Sequence, residues 1–194
     1  MQELKICLKT NASLDTLREN LLDQGFYVQE EFQLNDIYMV DSKTEISLEN
    51  SQNLFSNYLL IRELVGQRSS LVFKKKETNE KGEVLSYSST NCPIVSCYDA
   101  YNLMKELGYK KLLNLNVHNI LFSNDVHEIY LQDVEELGVY IKMMQKNNKI
   151  NHNNGDTIEE MINNLKKYDL PIIDYNTQVK KSYDMFKKRI EKNK

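Results

Sequence analysis

The first ten residues alternate between polar and apolar side chains, which is the period of a β-strand with one buried face. Leu4, Ile6 and Leu8 share one face, and Glu3 and Lys5 share the other. Similar alternation or β-rich runs recur along most of the chain. They predict further strands at 26–34, 36–40, 58–63, 70–76, 83–91, 111–122 and 126–134, and a last strand through Val139, Ile141 and Met143.

Helical periodicity is confined to four segments, each marked by its own start or stop signal. Ser13 is positioned to cap a helix over 14–24 that Gly25 ends, and Ser96 to cap a helix over 98–107 that Gly108 ends. Asp156 begins a third helix, and a fourth covers about 177–191. We expect one domain, 1–194, with strands within 1–144 and C-terminal helices within 157–191.

The order of these elements predicts an α+β fold. Most strands follow one another directly, whereas a doubly wound sheet needs a helix between most strands. We expect about eight such strands to form a closed antiparallel β-barrel with helices packed outside. The segments 42–53 and 145–155 are polar and are expected to be loops.

In such a barrel the helices cover the apolar outer face, and the polar residues line the interior. Alternation assigns the following residues to the interior: Glu3, Lys5, Leu60, Arg62, Lys74, Lys76, Asn114, Asn116, His118, Glu128, Tyr130, Gln132 and Lys142. Cations outnumber acids in this set, so the predicted cavity attracts polyanions. The alternative is that the lysines lie at strand ends and extend their amines into solvent.

Composition narrows the function classes only slightly. The formal net charge of -3 does not indicate a nucleic-acid binder. Three cysteines without CxxC spacing indicate free thiols, and no apolar run is long enough to cross a membrane. We expect a cytoplasmic protein with no membrane partner and no nucleic-acid partner.

The stretch YLQDVEELGVYIKMM, from Tyr130 to Met144, resembles the LDDVEGLGxFxExE signature of the CYTH superfamily, the triphosphate tunnel proteins. The residues that match in order are Asp133, Val134, Glu135, Leu137 and Gly138. Gln132 stands where an acid is usual, and Lys142 and Met144 stand where the closing glutamates are usual. The resemblance therefore keeps the strand pair and loses several carboxylates.

Other motifs of the superfamily recur in the same order. MQELK is similar to ExExK, NDIYM to DxYxx, YLLIRE to LRIRE, LVFKK to LTYKG and KSYDMF to SYxxLL. The matching polar residues are Glu3, Lys5, Asp36, Tyr38, Arg62 and Lys74. The departures are Met1 for the first glutamate, Leu60 for an arginine, Asn116 and His118 for a basic pair, and an uncharged stretch over 86–91.

The resemblance implies a divergent relative of class IV adenylate cyclases and thiamine triphosphatases that binds a nucleoside triphosphate or inorganic polyphosphate. Together with the alternation it implies these phosphate ligands: Lys5, Arg62, Lys74, Lys76, His118 and Lys142. Glu3 and Glu128 remain as ligands for Mg²⁺ or Mn²⁺, so metal binding is expected to be weak, and cyclase or triphosphatase activity weakened or lost. No catalytic residue is assigned.

Three alternatives stay open. The chain could be a non-catalytic binding or scaffold module that retains only the barrel, or its interior could take an uncharged ligand. His118 could act as a general acid instead of a phosphate ligand. Proteins of this superfamily often pair, so the resemblance allows a homodimer, and the oligomeric state stays open.

Overall fold

A computed structural model describes residues 5–78, 84–124, 126–144, 158–174 and 181–192 of the 194-residue chain. The strands are β1 (Lys5–Thr10), β2 (Tyr27–Asp41), β3 (Asn57–Leu64), β4 (Arg68–Thr78), β5 (Val84–Ile94), β6 (Tyr109–Ser123), β7 (Glu128–Val134), β8 (Gly138–Met144) and β9 (Ile172–Asp174). The helices are α1 (Leu14–Asp23), α2 (Ser51–Ser56), α3 (Cys97–Glu106), α4 (Ile158–Lys167) and α5 (Lys181–Lys192). None of the helices in these ranges has the length and apolar character needed to span a bilayer.

The strands form one nine-stranded sheet in the order β5-β4-β3-β2-β6-β7-β8-β1-β9. In the described part of the chain, β5 and β9 lie at the two ends and do not pair with each other, so the sheet is open. The predicted closed β-barrel is therefore wrong. Alternation predicts which residues share a face, but an open sheet and a barrel give the same alternation, because closure depends only on one long-range strand pairing.

The helices predicted to begin after Ser13 and Ser96 are confirmed, together with their caps. The backbone N–H of Thr16 donates to Ser13 Oγ, and that of Asp99 donates to Ser96 Oγ, each at 3.1 Å. Both serines thus satisfy a backbone N–H that the first helical turn leaves without a partner. The cap predicted at Asp156 lies outside the described residues.

Three elements differ from the sequence prediction. The two strands predicted over 26–40 are one continuous strand, β2, because Asn35 keeps extended backbone pairing opposite Glu63. The short helix α2 lies partly within a segment predicted to be loop, and six residues are too few to show helical periodicity. Strand β9 has no counterpart among the predicted strands. It follows Pro171, whose carbonyl accepts a 2.7 Å hydrogen bond from Thr10 Oγ1 of β1.

The chain separates into two compact units. Unit 1 comprises Met1–Phe32 and His118–Thr177. Its core joins one face of β1, β7 and β8 to the helices α1 and α4. The buried residues of this core include Ile6, Leu8, Leu17, Leu21, Ile129, Leu131, Ile141, Met161 and Leu165. These are the apolar positions of the predicted alternation, so the polar positions of the same strands lie on the face away from the helices.

Unit 2 comprises Gln33–Val117 and Gln178–Lys194. On one side of its strands, Met104 of α3 packs against Met39 and Ile61. On the other side lie aromatic rings from four elements: Tyr38 of β2, Tyr58 of β3, Phe55 of α2 and Phe186 of α5. The Phe55 and Phe186 rings are 5.7 Å apart and meet edge to face. Helix α5 is thus attached to unit 2 through its buried Phe186.

Candidate functional site

Lysine and tyrosine side chains share the polar face of β1, β7 and β8 in unit 1. Lys9 is the cross-strand partner of Tyr140, and Lys142 is the cross-strand partner of both Cys7 and Tyr130. The Lys142 amine lies 4.6 Å from the centre of the Tyr130 ring, and the Lys9 amine lies 5.5 Å from the centre of the Tyr140 ring. Both distances are within the range of a cation–π contact.

These contacts determine what the two lysines can do. An aromatic ring attracts an ammonium group through its electron-rich face, so each contact helps to position a lysine amine. The lysine side chains are only half-buried and can still donate to a bound anion. Two positioned ammonium groups on one face are suited to attract a polyanion.

One carboxylate of β7 lies on the same face. Glu128 has the parity of Tyr130 and Gln132 in β7, and it is half-buried. The buried Gln132 donates from Nε2 to Oδ1 of the buried Asn119 at 2.6 Å, so a neutral amide pair occupies the position where the superfamily signature has an acid. Within the described ranges, no three His, Cys, Asp or Glu side chains are close enough together to hold a metal ion.

In unit 2, Arg62 forms a bidentate ion pair with Asp36 of the neighbouring strand. Nε donates to Oδ1 at 2.7 Å and Nη2 donates to Oδ2 at 2.6 Å, and the two residues are directly opposite in the strand register. Burial by itself would lower the pKa of Arg62, but the hydrogen bonds and negative charge of Asp36 outweigh it, and the pKa is raised. The guanidinium thus stays charged, with two of its three nitrogens committed to Asp36.

Two tyrosines border this ion pair. The Tyr38 and Tyr58 rings stack with their centres 5.2 Å apart, and the Tyr38 hydroxyl is hydrogen-bonded by Ser182 of α5. Burial raises the pKa of both phenols above the ordinary value. Both hydroxyls are therefore neutral near pH 7, and they can donate hydrogen bonds but do not act as bases there.

The other predicted phosphate ligands fall on several strands. Lys74 is half-buried and lies opposite Tyr58 in the register of β3 and β4. Lys5 belongs to β1 and Lys76 to β4, but their side chains lie outside what the structure describes, and Glu3 lies outside the described residues altogether.

The polar face of β1, β7 and β8 that carries Lys9 and Lys142 is called the lysine face below. His118 lies away from it. Its Nε2 is 2.8 Å from Oε1 of Glu31 in β2. Along β6 it has the parity of Ile120 and Phe122, which belong to the core beneath α1 and α4, whereas Asn119 has the opposite parity. The structure therefore brings Lys142 and Gln132 to one face and places His118 on the other.

The residues missing from the predicted ligand set are Lys9 and the tyrosine beneath it, Tyr140. Lys9 has the same parity as Lys5, so the alternation of β1 already placed it on the polar face. The contact with Tyr140 depends on the register between β1 and β8, which the sequence of either strand alone does not specify.

No protein-family model and no curated protein matches the sequence. Several solved structures have a similar fold. The PH1819 protein of Pyrococcus horikoshii is 18% identical, with a TM-score of 0.64 over 97% of this chain and 99% of that one. The PH1012 protein of the same organism is 12% identical, with a TM-score of 0.64 over 94% of this chain and 99% of that one.

A third similar structure is a candidate adenylate cyclase from Vibrio parahaemolyticus. It is 13% identical, with a TM-score of 0.61 over 94% of this chain and 97% of that one. Identities this low establish the fold alone. The chain has a CYTH-like fold, the fold class that its motifs indicate.

Proposed function

We propose that this chain binds a triphosphate-bearing anion, either a nucleoside triphosphate or an inorganic polyphosphate, on the polar face of β1, β7 and β8. The observation that carries the proposal is the pair of lysines held over aromatic rings, Lys142 over Tyr130 and Lys9 over Tyr140. Lys5 belongs to the same strand as Lys9 and has the same parity. The similarity in fold to a candidate adenylate cyclase is consistent with this substrate class.

The physical basis is the positioning of two ammonium groups on one face. A phosphate chain carries several negative charges, and each ammonium on this face interacts with them as a compact point charge. Holding the two amines on tyrosine rings reduces the side-chain entropy that they lose when the anion binds. Glu128 is the carboxylate of this parity in β7, and it opposes the anion less than a full set of metal-binding acids would.

Metal-dependent turnover is proposed to be weak or absent. Mg²⁺ requires several oxygen ligands in near-octahedral geometry, and one or two carboxylates supply few of them. Gln132 is committed to Asn119 and cannot replace the missing charge. Any Mg²⁺ or Mn²⁺ would be held by Glu128 together with oxygens of the bound phosphate chain, and that ion would supply charge neutralisation at the phosphates.

The same observation favours a second candidate function, a binding module without catalysis. A buried neutral amide pair at a former acid position stabilises the strands but offers no chemistry. Under this alternative the anion is a regulatory or structural ligand. The two candidates differ in turnover and share the binding site.

Two measurements on the full chain separate these outcomes. We expect tripolyphosphate to raise the melting temperature in EDTA, since binding to the folded state stabilises it. We expect release of phosphate or pyrophosphate, and formation of cyclic AMP, to stay at background with Mg²⁺ or Mn²⁺. An unchanged melting temperature would contradict the binding site. Turnover that Glu128→Gln abolishes would contradict the loss of metal chemistry and identify an enzyme.

A further inference from the structure

Unit 2 contains a cavity of about 360 Å³ at the ends of strands β2 and β3. Its apolar lining includes Leu59, Phe73 and Tyr109. This volume is within the range of pockets that enclose a small organic molecule. All of its lining residues belong to unit 2, and it has no part in the proposed lysine face.

One charged side chain lines the cavity among the residues that the structure describes. It is Asp41, at the end of β2. Asp41 Oδ1 accepts a 2.8 Å hydrogen bond from the Lys43 backbone N–H, which fixes the carboxylate without neutralising it. Asn57 and Thr44 add uncharged polar groups to the lining. The Asp41 carboxylate can attract a positive ligand, and the nearby Lys110 amine is bonded to the Thr44 carbonyl at 3.0 Å.

The aromatic lining points to the same chemistry. Phe73 is 45% exposed although it is a large apolar side chain, so its ring is accessible from solvent. Phe73 and Tyr109 both border the cavity that Asp41 borders. Aromatic faces attract cations, and an aromatic lining with one carboxylate is the composition that recognises substituted ammonium groups.

We propose that this cavity binds a small organic cation, an ammonium group attached to a compact apolar body. The carboxylate of Asp41 provides the charge, and the rings of Phe73 and Tyr109 provide the surface against which the methyl or methylene groups pack. The ligand is opposite in sign to the anion proposed for the lysine face. The two proposals therefore succeed or fail independently.

The test is a titration of isotope-labelled protein with choline, in which binding is monitored through the amide chemical shifts of the protein. Choline has a neutral counterpart, neohexyl alcohol, in which a carbon atom replaces the ammonium nitrogen. We expect choline to shift the amide signals of Asn57 and Phe73 with millimolar affinity, and the alcohol to bind at least about threefold more weakly, since the cation–π and charge terms are missing. Equal affinity for both compounds would overturn the proposal, as would no shift with choline.

Substitutions of lining residues test whether choline binds in this cavity. Asp41→Asn keeps the shape of the side chain and removes its charge, so it is expected to weaken choline about threefold or more and to leave the alcohol unchanged. Phe73→Leu, which stays apolar, is expected to weaken choline as well. The control is Asp99→Asn, an exposed acid in the first turn of α3, which is expected to change neither ligand. Choline binding that Asp41→Asn does not weaken would overturn the proposal.

Discussion

Arg62 and Asp36 meet through two parallel hydrogen bonds of 2.7 and 2.6 Å across β2 and β3. Asp36 is 5% exposed, and its two oxygens are both used by the guanidinium. The pair explains why these two residues lie opposite each other on facing strands. Two of the five guanidinium N–H donors of Arg62 are thereby used by Asp36, and three are left, two on Nη1 and one on Nη2.

Asp36→Ala is expected to destabilise the protein by about 2–3 kcal/mol, because the half-buried guanidinium then loses both of its charged acceptors. The measurement is urea unfolding at neutral pH. Glu63→Ala is the control, since Glu63 is half-buried on the neighbouring strand and accepts one 3.0 Å hydrogen bond from the Asn35 side chain. A loss for Asp36→Ala no larger than the loss for Glu63→Ala would show that the ion pair contributes little.

Gln132→Leu is expected to lower the free energy of unfolding by about 1–3 kcal/mol, since the buried Asn119 Oδ1 loses the hydrogen bond from Gln132 Nε2. Asn119→Leu tests the same bond from the other side. If the bond is the cause, the double variant costs clearly less than the sum of the two single variants. Strict additivity in urea unfolding would mean that the amide pair is not coupled.

Phe186→Ala is expected to lower the free energy of unfolding by about 3–5 kcal/mol, the usual loss when a large aromatic side chain is removed from a core. Phe186 is 2% exposed and meets Phe55 at 5.7 Å, so the substitution leaves a cavity between α5 and α2. Lys187→Ala, the exposed next residue on α5, is expected to change stability by less than about 0.5 kcal/mol. Equal losses for the two variants would contradict the described packing of α5.

Stability is expected to fall as the pH rises above about 10, the ordinary pKa of tyrosine. Burial raises the pKa of Tyr38 and Tyr58, so the folded state keeps protons that the unfolded chain releases. Unfolding then releases protons, and each of the two phenols lowers the free energy of unfolding by up to about 1.4 kcal/mol per pH unit. Below pH 10 both states are protonated, and this term vanishes.

Urea unfolding between pH 9 and pH 11 measures this slope. Tyr58→Phe is expected to flatten it, because phenylalanine has no proton to release. Tyr98→Phe serves as the control, since Tyr98 is 74% exposed. A slope that Tyr58→Phe leaves unchanged would show that Tyr58 is not the source.

The local structure could be predicted from the sequence where neighbouring residues determine it. Ser13 and Ser96 precede clear helical periodicity and cap their helices as predicted. Ile6 and Leu8 occupy the buried face of β1, and Lys9 occupies the other. Each of these features follows from side chains within a few positions of one another.

The features that could not be predicted depend on distant parts of the chain. Whether β5 pairs with β9 decides between a barrel and an open sheet, and these two strands are far apart in the sequence. The contact of Lys9 with Tyr140 depends on the register of β1 against β8. His118 shows a third limit, because the alternation along β6 predicts which residues share a face but does not say which face the helices cover.

The most direct test of the lysine face is a calorimetric titration of tripolyphosphate in EDTA. We expect the wild-type chain to bind, and the double variant Lys9→Gln/Lys142→Gln to bind at least about tenfold more weakly, a loss of 1.4 kcal/mol. Lys105→Gln is the matched control, since Lys105 also lies over a tyrosine, Tyr101, but on α3. Loss of affinity in the double variant with none in Lys105→Gln is the predicted result. No binding by the wild type, or equal affinity in all three proteins, would contradict it.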